Sequence, residues 1–241
     1  MIEVKNVTMD FRFGDQKVGS LKEFVVRMLK GQFKYKKFRA LENVSFHISK
    51  GEVVGFIGHN GAGKSTMLKL VSGLYRPSEG TVKTHGGIVP LLELGAGFDY
   101  DLNGGENIYL NGALLGYSKK QIQDNYDSIV EYSGLQEFID MPLRNYSSGM
   151  IMRLAFAISS ILTPDILILD EILSVGDESF QRKSHDRIIE LIHSGCTVVF
   201  VSHSIEQVRE LCTRVIWLDH GHVKMDGEPN IVCEEYLKTF N

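Results

Sequence analysis

VVGFIGHNGAGKSTMLKLV, residues 53–71, decides the fold. It opens as a short apolar run, enters a glycine-rich turn and continues with helical spacing, which predicts a strand, a loop and a helix that runs on until Pro77. Within it Gly58-His59-Asn60-Gly61-Ala62-Gly63-Lys64-Ser65 fits G-x-x-x-x-G-K-[ST], with the strand before it and the helix after it that the motif needs. The glycines let backbone N–H groups curl around a polyphosphate, and the helix N-terminus adds a partial positive charge. Gly58, Asn60, Gly61, Ala62, Gly63 and Thr66 are the candidate phosphate cradle. Lys64 is placed for the β and γ phosphates of a nucleotide, and Ser65 for Mg²⁺.

The chain has 241 residues, enough for one large α/β domain with a buried core. A net charge of -4 gives no bulk reason to expect nucleic acid as a partner. Cys196, Cys212 and Cys233 form no CxxC and leave one thiol over, so they read as apolar fillers in a reduced setting. The start, MIEVKNVTMDF, lacks the basic and apolar regions of a signal peptide, and no run approaches the roughly 20 apolar residues that span a bilayer. The expectation is a protein that is neither exported nor membrane-spanning.

IEVKNVTMDFRF and FRALENVSFHI alternate like strands on either side of an insert, and the turn at Ser49-Lys50-Gly51-Glu52 follows. From about 95 to 162 the pattern is mainly helical, with turn chemistry at Asn103-Gly104-Gly105, Gly116 and Pro142. DILILDE (165–171) and TVVFVSH (197–203) are continuous apolar runs of the kind buried on both faces of a parallel sheet. VIWLDHGHVKMDG predicts a hairpin around His220-Gly221, and a short helical tail completes the segment from about 220 to 241. The whole chain is expected to be a single domain, 1–241, with the helical segment inserted between core strands.

The run Ile166-Leu167-Ile168-Leu169-Asp170-Glu171 ends an apolar strand in two carboxylates, which a purely structural strand has no reason to carry. Asp170 is placed to hold Mg²⁺, and Glu171 to orient and polarise an attacking water.

Asn145-Tyr146-Ser147-Ser148-Gly149-Met150, followed by IMRLAFAIS, resembles the signature loop and helix of ABC-type ATPases. A small-residue turn at a helix N-terminus can approach a γ-phosphate through N–H groups and the Ser147 hydroxyl. The resemblance covers essentially the whole chain. It implies an ABC-type P-loop ATPase fold, α/β, with a RecA-like core, an antiparallel β subdomain and an inserted helical subdomain. It implies ATP and Mg²⁺ as cofactors, and a head-to-tail homodimer in which Ser147, Ser148 and Gly149 of one copy complete the site of the other. Ser174-Val175-Gly176-Asp177 resembles the family's D-loop, and His203 its switch histidine. Tyr35 is the candidate for the aromatic that stacks on adenine, with Phe38 as the close alternative. Where the family usually has a glutamine, LLELGAGF offers Glu93, which keeps an oxygen acceptor for the metal but loses the amide donor.

GSLKEFVVRMLKGQF places an S-x-x-E capping box at Ser20 and Glu23, then an apolar stripe of Leu21, Phe24, Val25, Met28 and Leu29 before Gly31. Lys22, Arg27 and Lys30 stand off that stripe, and Lys34, Lys36, Lys37 and Arg39 continue the positive charge. Such a helix, at 19–31, can pack on its own domain or face a membrane surface. With LLELGAGF and YSSGM, it resembles the ATP-binding subunits of bacterial polysaccharide exporters, for O-antigen, teichoic acid or capsule. That resemblance implies a gate helix touching membrane or permease through Leu21, Phe24, Val25 and Met28, and a peripheral place on the cytoplasmic face. It also implies a separate polytopic permease carrying a lipid-linked polysaccharide, and no glycan-binding domain in this chain. A soluble ABC-type ATPase without a transport role, or the ATPase of another transporter class, are the alternatives.

Overall fold

The computed structural model describes residues 1–14, 35–91, 94–170, 177–202 and 204–240, with the side chains of 13, 14 and 35 outside the description. The predicted helix at 19–31, with Leu21, Phe24, Val25 and Met28, lies outside the described residues, as do Glu93, Glu171, residues 174–176 and His203.

Two sheets carry the chain. Strands β1 (Ile2–Gly14), β2 (Tyr35–Ile48) and β4 (Glu79–Thr84) form an antiparallel sheet in the order β2-β1-β4. The larger sheet has the order β5-β6-β7-β3-β8-β9, built from β5 (Ile88–Pro90), β6 (Ile166–Asp170), β7 (Thr197–Val201), β3 (Val53–Ile57), β8 (Arg214–Asp219) and β9 (His222–Gly227). All neighbours in it are parallel except β8 and β9, which meet in a hairpin. The turn residues His220 and Gly221 have φ of 46° and 81°, the double left-handed conformation that matches the twist of a two-residue hairpin.

Period-two alternation divides the six-stranded sheet between two cores. Val54, Phe56, Ile166, Ile168, Val199, Val201, Ile216 and Leu218 face one side, where α1 (Lys64–Val71) and the antiparallel sheet cover them. Val53, Ile57, Leu167, Leu169, Val198, Phe200, Val215 and Trp217 face the other, against α5 (Glu178–His193), α6 (Ile205–Leu211) and α7 (Pro229–Leu237). Both faces are buried, so these strands read as unbroken apolar runs.

Between β5 and β6 the chain forms α2 (Gly104–Leu114), α3 (Lys119–Ser133) and α4 (Ser148–Ile161) around a third core that includes Ile108, Ile122, Ile129, Leu154 and Ile158. Helix α4 belongs to both regions: Leu154 and Ile158 enter the helical core, while Phe156 enters the sheet core and packs edge-on to Phe180 at 5.9 Å. A second tie joins α3 to α5. Tyr132 donates its hydroxyl to the Lys183 carbonyl at 2.8 Å, and Lys183 donates its ammonium to the Tyr132 carbonyl at 2.9 Å.

Three local readings change. Helix α1 stops at Val71 rather than running to Pro77, because Ser72 caps it and Gly73 turns to φ 76°. Gly104 and Gly105 are the first residues of α2, not a turn; Asn103 caps that helix in a capping box with Glu106. Their missing side chains make room instead, since a Cβ at Gly104 or Gly105 would stand 2.5 Å from the Tyr146 or Tyr126 hydroxyl. Lys37 and Arg39, read as part of a basic patch, both pair with Asp10 of β1, at 2.8 and 3.0 Å.

Phe156→Ala should remove the side chain that fixes the helical region to the sheet. Loss of a buried Phe costs about 3–5 kcal/mol, so urea unfolding should show stability lower by that amount, through a lower midpoint at unchanged slope.

Candidate nucleotide-binding site

Parallel pairing sets the site's floor. Val201, the last residue of β7, pairs with Asp170 of β6 on one side and Phe56 of β3 on the other. The carboxyl ends of three strands therefore lie abreast, where open α/β sheets bind their ligands. The loop leaving β3 bends over them through Gly58, Gly61 and Gly63, with φ of 146°, 82° and 106°, values open to glycine and strained for other residues.

The loop is wedged between neighbours. A Cβ at Gly58 would stand 2.1 Å from the Leu218 carbonyl, and one at Gly63 would stand 2.6 Å from Leu41 Cδ2 and 2.8 Å from the Ala40 carbonyl. The β8–β9 turn braces it from behind: Gly221 N–H donates to the Ala62 carbonyl at 3.1 Å, and Glu42 N–H donates to the Gly221 carbonyl at 2.9 Å. The sequence marked the hairpin, but its use as a brace follows only from the chain folding back.

A cleft of about 200 Å³ is lined by Asn60, Gly61, Gly63, Lys64, Ser65, Thr66, Asp170, Val201, Ala40 and Phe38. Gly63 to Thr66 form the start of α1, whose first N–H groups have no intrahelical partner and point toward an incoming anion. Lys64 is buried and donates to the carbonyls of Gly58 at 2.6 Å and His59 at 3.0 Å. Burial holds its ammonium below the usual lysine range, and the Asp170 carboxylate opposes that shift. The arrangement keeps a positive charge loosely satisfied by carbonyls at the cleft wall, ready for a stronger anionic acceptor. Gly58 and Ala62 shape the loop rather than line the cleft.

Phe38 is 53% exposed and lines the cleft. Ser147 and Ser148 are exposed; Ser147 Oγ caps α4, accepting from Met150 N–H at 3.2 Å, and retains its own proton to donate. Neither serine nor Gly149 lines the cleft. Asp177 caps α5, accepting from Phe180 N–H at 2.9 Å.

The ABC transporter family profile matches residues 41–174. Over 99% of its length and 98% of the relative's, the chain is 43% identical to the O-antigen export system ATP-binding protein RfbB of Klebsiella pneumoniae. It is 39% identical to the teichoic acids export ATP-binding protein TagH of Staphylococcus saprophyticus, over 100% of this chain and 89% of that one. Among solved structures, a dimeric ATP-binding cassette, MJ0796, in a post-hydrolysis state bound to ADP and Pi has the same fold, with a TM-score of 0.71 at 24% identity over 95% of this chain and 99% of that one. With the cleft, the phosphate loop and these likenesses together, the chain belongs to the ABC transporter family, as one of its ATP-hydrolysing subunits.

Proposed function

We propose that the chain powers an exporter that moves a lipid-linked polysaccharide, of O-antigen, teichoic acid or capsule type, across a bacterial cytoplasmic membrane. It works as a homodimer on the cytoplasmic face and drives a separate polytopic permease. The observation that carries this reading is near full-length identity with an O-antigen export ATP-binding protein, joined to a cleft that gathers Lys64, Ser65 and Asp170. Among the described residues no helix is long and apolar enough to cross a membrane, so a translocation path is left to the permease. The net charge of -4 supports no role for nucleic acid.

In this mechanism ATP lies with its phosphates on the start of α1, and Lys64 moves its hydrogen bonds from the loop carbonyls to the β and γ phosphates. Ser65 and Asp170 bring hard oxygen donors into one cleft, a set that fits Mg²⁺, and Glu93 is a further donor. When bound, the ion supplies positive charge to the phosphate oxygens. Glu171 orients the attacking water, and His203 contacts the γ-phosphate. Ser147, Ser148 and Gly149 stand outside the cleft of their own chain, which supports their serving the ATP of a second copy, with Asp177 at the joint. ATP then favours the closed dimer by binding it better than the open one, and hydrolysis reverses this.

The permease docks where the helical region meets the sheet. A groove there is lined by Leu74, Pro90, Leu94, Gly95 and Leu115, and Leu74 and Leu114 are 49% and 64% exposed. The amphipathic segment at 19–31 supplies a gate helix, its apolar stripe toward permease or lipid and its lysines toward anionic headgroups. For adenine stacking, the place of Phe38 in the cleft supports Phe38, while Tyr35 stays the other candidate, its side chain outside the described residues.

Glu171→Gln should keep ATP binding and accumulate the closed dimer on gel filtration, with phosphate release down by about 10²–10⁴-fold; release at the wild-type rate overturns the assignment. Phe38→Ala should weaken ATP binding by about 1–3 kcal/mol, as read by titration with a fluorescent ATP analogue; wild-type affinity in Phe38→Ala with that loss in Tyr35→Ala returns the role to Tyr35. Phe24→Asp combined with Met28→Asp should leave ATPase activity of the isolated subunit unchanged while abolishing polymer export in cells; intact export would reduce the stripe to packing.

A further inference from the structure

Behind the phosphate loop, outside the nucleotide cleft, three metal-ligating side chains meet between residue 59 and the β8–β9 turn. His59 Nε2 is 3.2 Å from Asp219 Oδ1, His220 Nε2 is 3.9 Å from the same oxygen, and ligand atoms of all three lie within 4.8 Å of one another. None of the three lines the cleft that holds Lys64 and Ser65.

Hydrogen bonding decides what His59 offers. Its Nδ1 is 2.7 Å from the Asn60 carbonyl oxygen, an acceptor without a proton, so Nδ1 carries the hydrogen. In the neutral ring Nε2 is then a bare lone pair. It is buried, makes no hydrogen bond and faces a carboxylate oxygen that is also an acceptor. In the neutral ring two acceptors face each other at that distance, an arrangement that a shared cation relieves, either a proton on Nε2 or a metal ion between the two atoms. A backbone carbonyl on the far ring nitrogen is also how proteins orient a histidine toward a metal.

Asp219 is set in the same way. Lys224 donates to Oδ2 at 3.0 Å and holds the carboxyl below its usual range, which leaves Oδ1 for the histidines. His220 is the adjustable member, with its side chain 81% exposed. A four-coordinate Zn²⁺ with bonds of about 2.0–2.1 Å sets its ligand atoms about 3.3 Å apart. The His59 to Asp219 spacing meets this already, and a turn of the His220 ring brings in the third.

We propose that His59, Asp219 and His220 form a Zn²⁺ site with its fourth position open to water, clipping the phosphate loop to the β8–β9 turn. Two imidazoles and one carboxylate suit Zn²⁺ rather than Mg²⁺. The chain's thiols do not compete: Cys196, Cys212 and Cys233 are buried, and burial pushes the first two up to about 11 and about 12. The clip reaches the nucleotide through one residue. His59 offers its ring to the metal and its carbonyl to Lys64 Nζ, at 3.0 Å. Fixing residue 59 favours Lys64 on the loop carbonyls, so Zn²⁺ weakens ATP binding and ATP weakens Zn²⁺ binding by the same factor.

The test is Zn²⁺ titration of the full chain without nucleotide, in competition with a chromophoric chelator. Wild type should bind one Zn²⁺ per chain. His220→Asn, chosen because Asn tolerates the positive φ of 46° at that position, should bind at least about tenfold more weakly, with unchanged ATPase activity in the absence of Zn²⁺. Asp219→Asn should lose binding similarly, and His222→Ala, a histidine that faces Glu42 at 3.4 Å, should not. A saturating non-hydrolysable ATP analogue should lower Zn²⁺ affinity. Absence of stoichiometric binding in wild type, or wild-type affinity in His220→Asn, overturns the proposal.

Discussion

Gly58 lies so close to β8 that a Cβ would stand 2.1 Å from the Leu218 carbonyl oxygen. Only glycine permits this approach, and the loop that leaves β3 through it continues as α1, with the cleft at that junction. Every other part of the site is placed relative to that bend. Ala40 and Leu41 of β2 close it from the antiparallel sheet, Gly221 braces it from the hairpin, and Lys64 binds back onto the carbonyls of the bend itself. A glycine at 58 is thus a packing requirement as well as a conformational one, since its φ of 146° would strain any side chain.

The six-stranded sheet gives this bend a stiff base. With apolar residues on both faces of β3, β6, β7 and β8, neither face can slip by one residue without exchanging its whole set of contacts. The helical region between β5 and β6 is attached differently. Its own core is separate, and Phe156 with the Tyr132 and Lys183 pair ties it to the sheet side. A helical region with its own core, joined to the sheet side by side-chain ties, can turn as a unit. In the proposed mechanism this separates the work: the stiff sheet holds ATP, and the attached helices carry the signature loop and the permease groove.

The site also shows why one residue can serve two ends. His59 lies in the phosphate loop by sequence, yet its ring points to the hairpin, toward Asp219 and His220, while its carbonyl holds Lys64. Backbone and side chain of one residue leave in different directions, so a ligand behind the loop can act on the cleft without entering it.

The sequence by itself determined what depends on neighbours in the chain. Strand, glycine turn and helix over 53–71 were legible because a tight turn has local chemistry. Continuous apolar runs announced the buried strands, and His220-Gly221 announced the hairpin. The helical character between 95 and 162 followed from periodicity, although the glycines at 104 and 105 misled as turn signals; their reason, the approach of Tyr146 and Tyr126, is remote in sequence. Only the tertiary structure decided which strands lie abreast, and so brought Asp170 to Lys64 across more than a hundred residues. It decided too that Phe38 reaches the cleft, that Lys37 and Arg39 are engaged by Asp10, and that the hairpin turn meets the phosphate loop. Local pattern fixes the elements because backbone geometry repeats over a few residues; proximity between distant residues depends on which apolar faces are buried together, and no short window of sequence contains that.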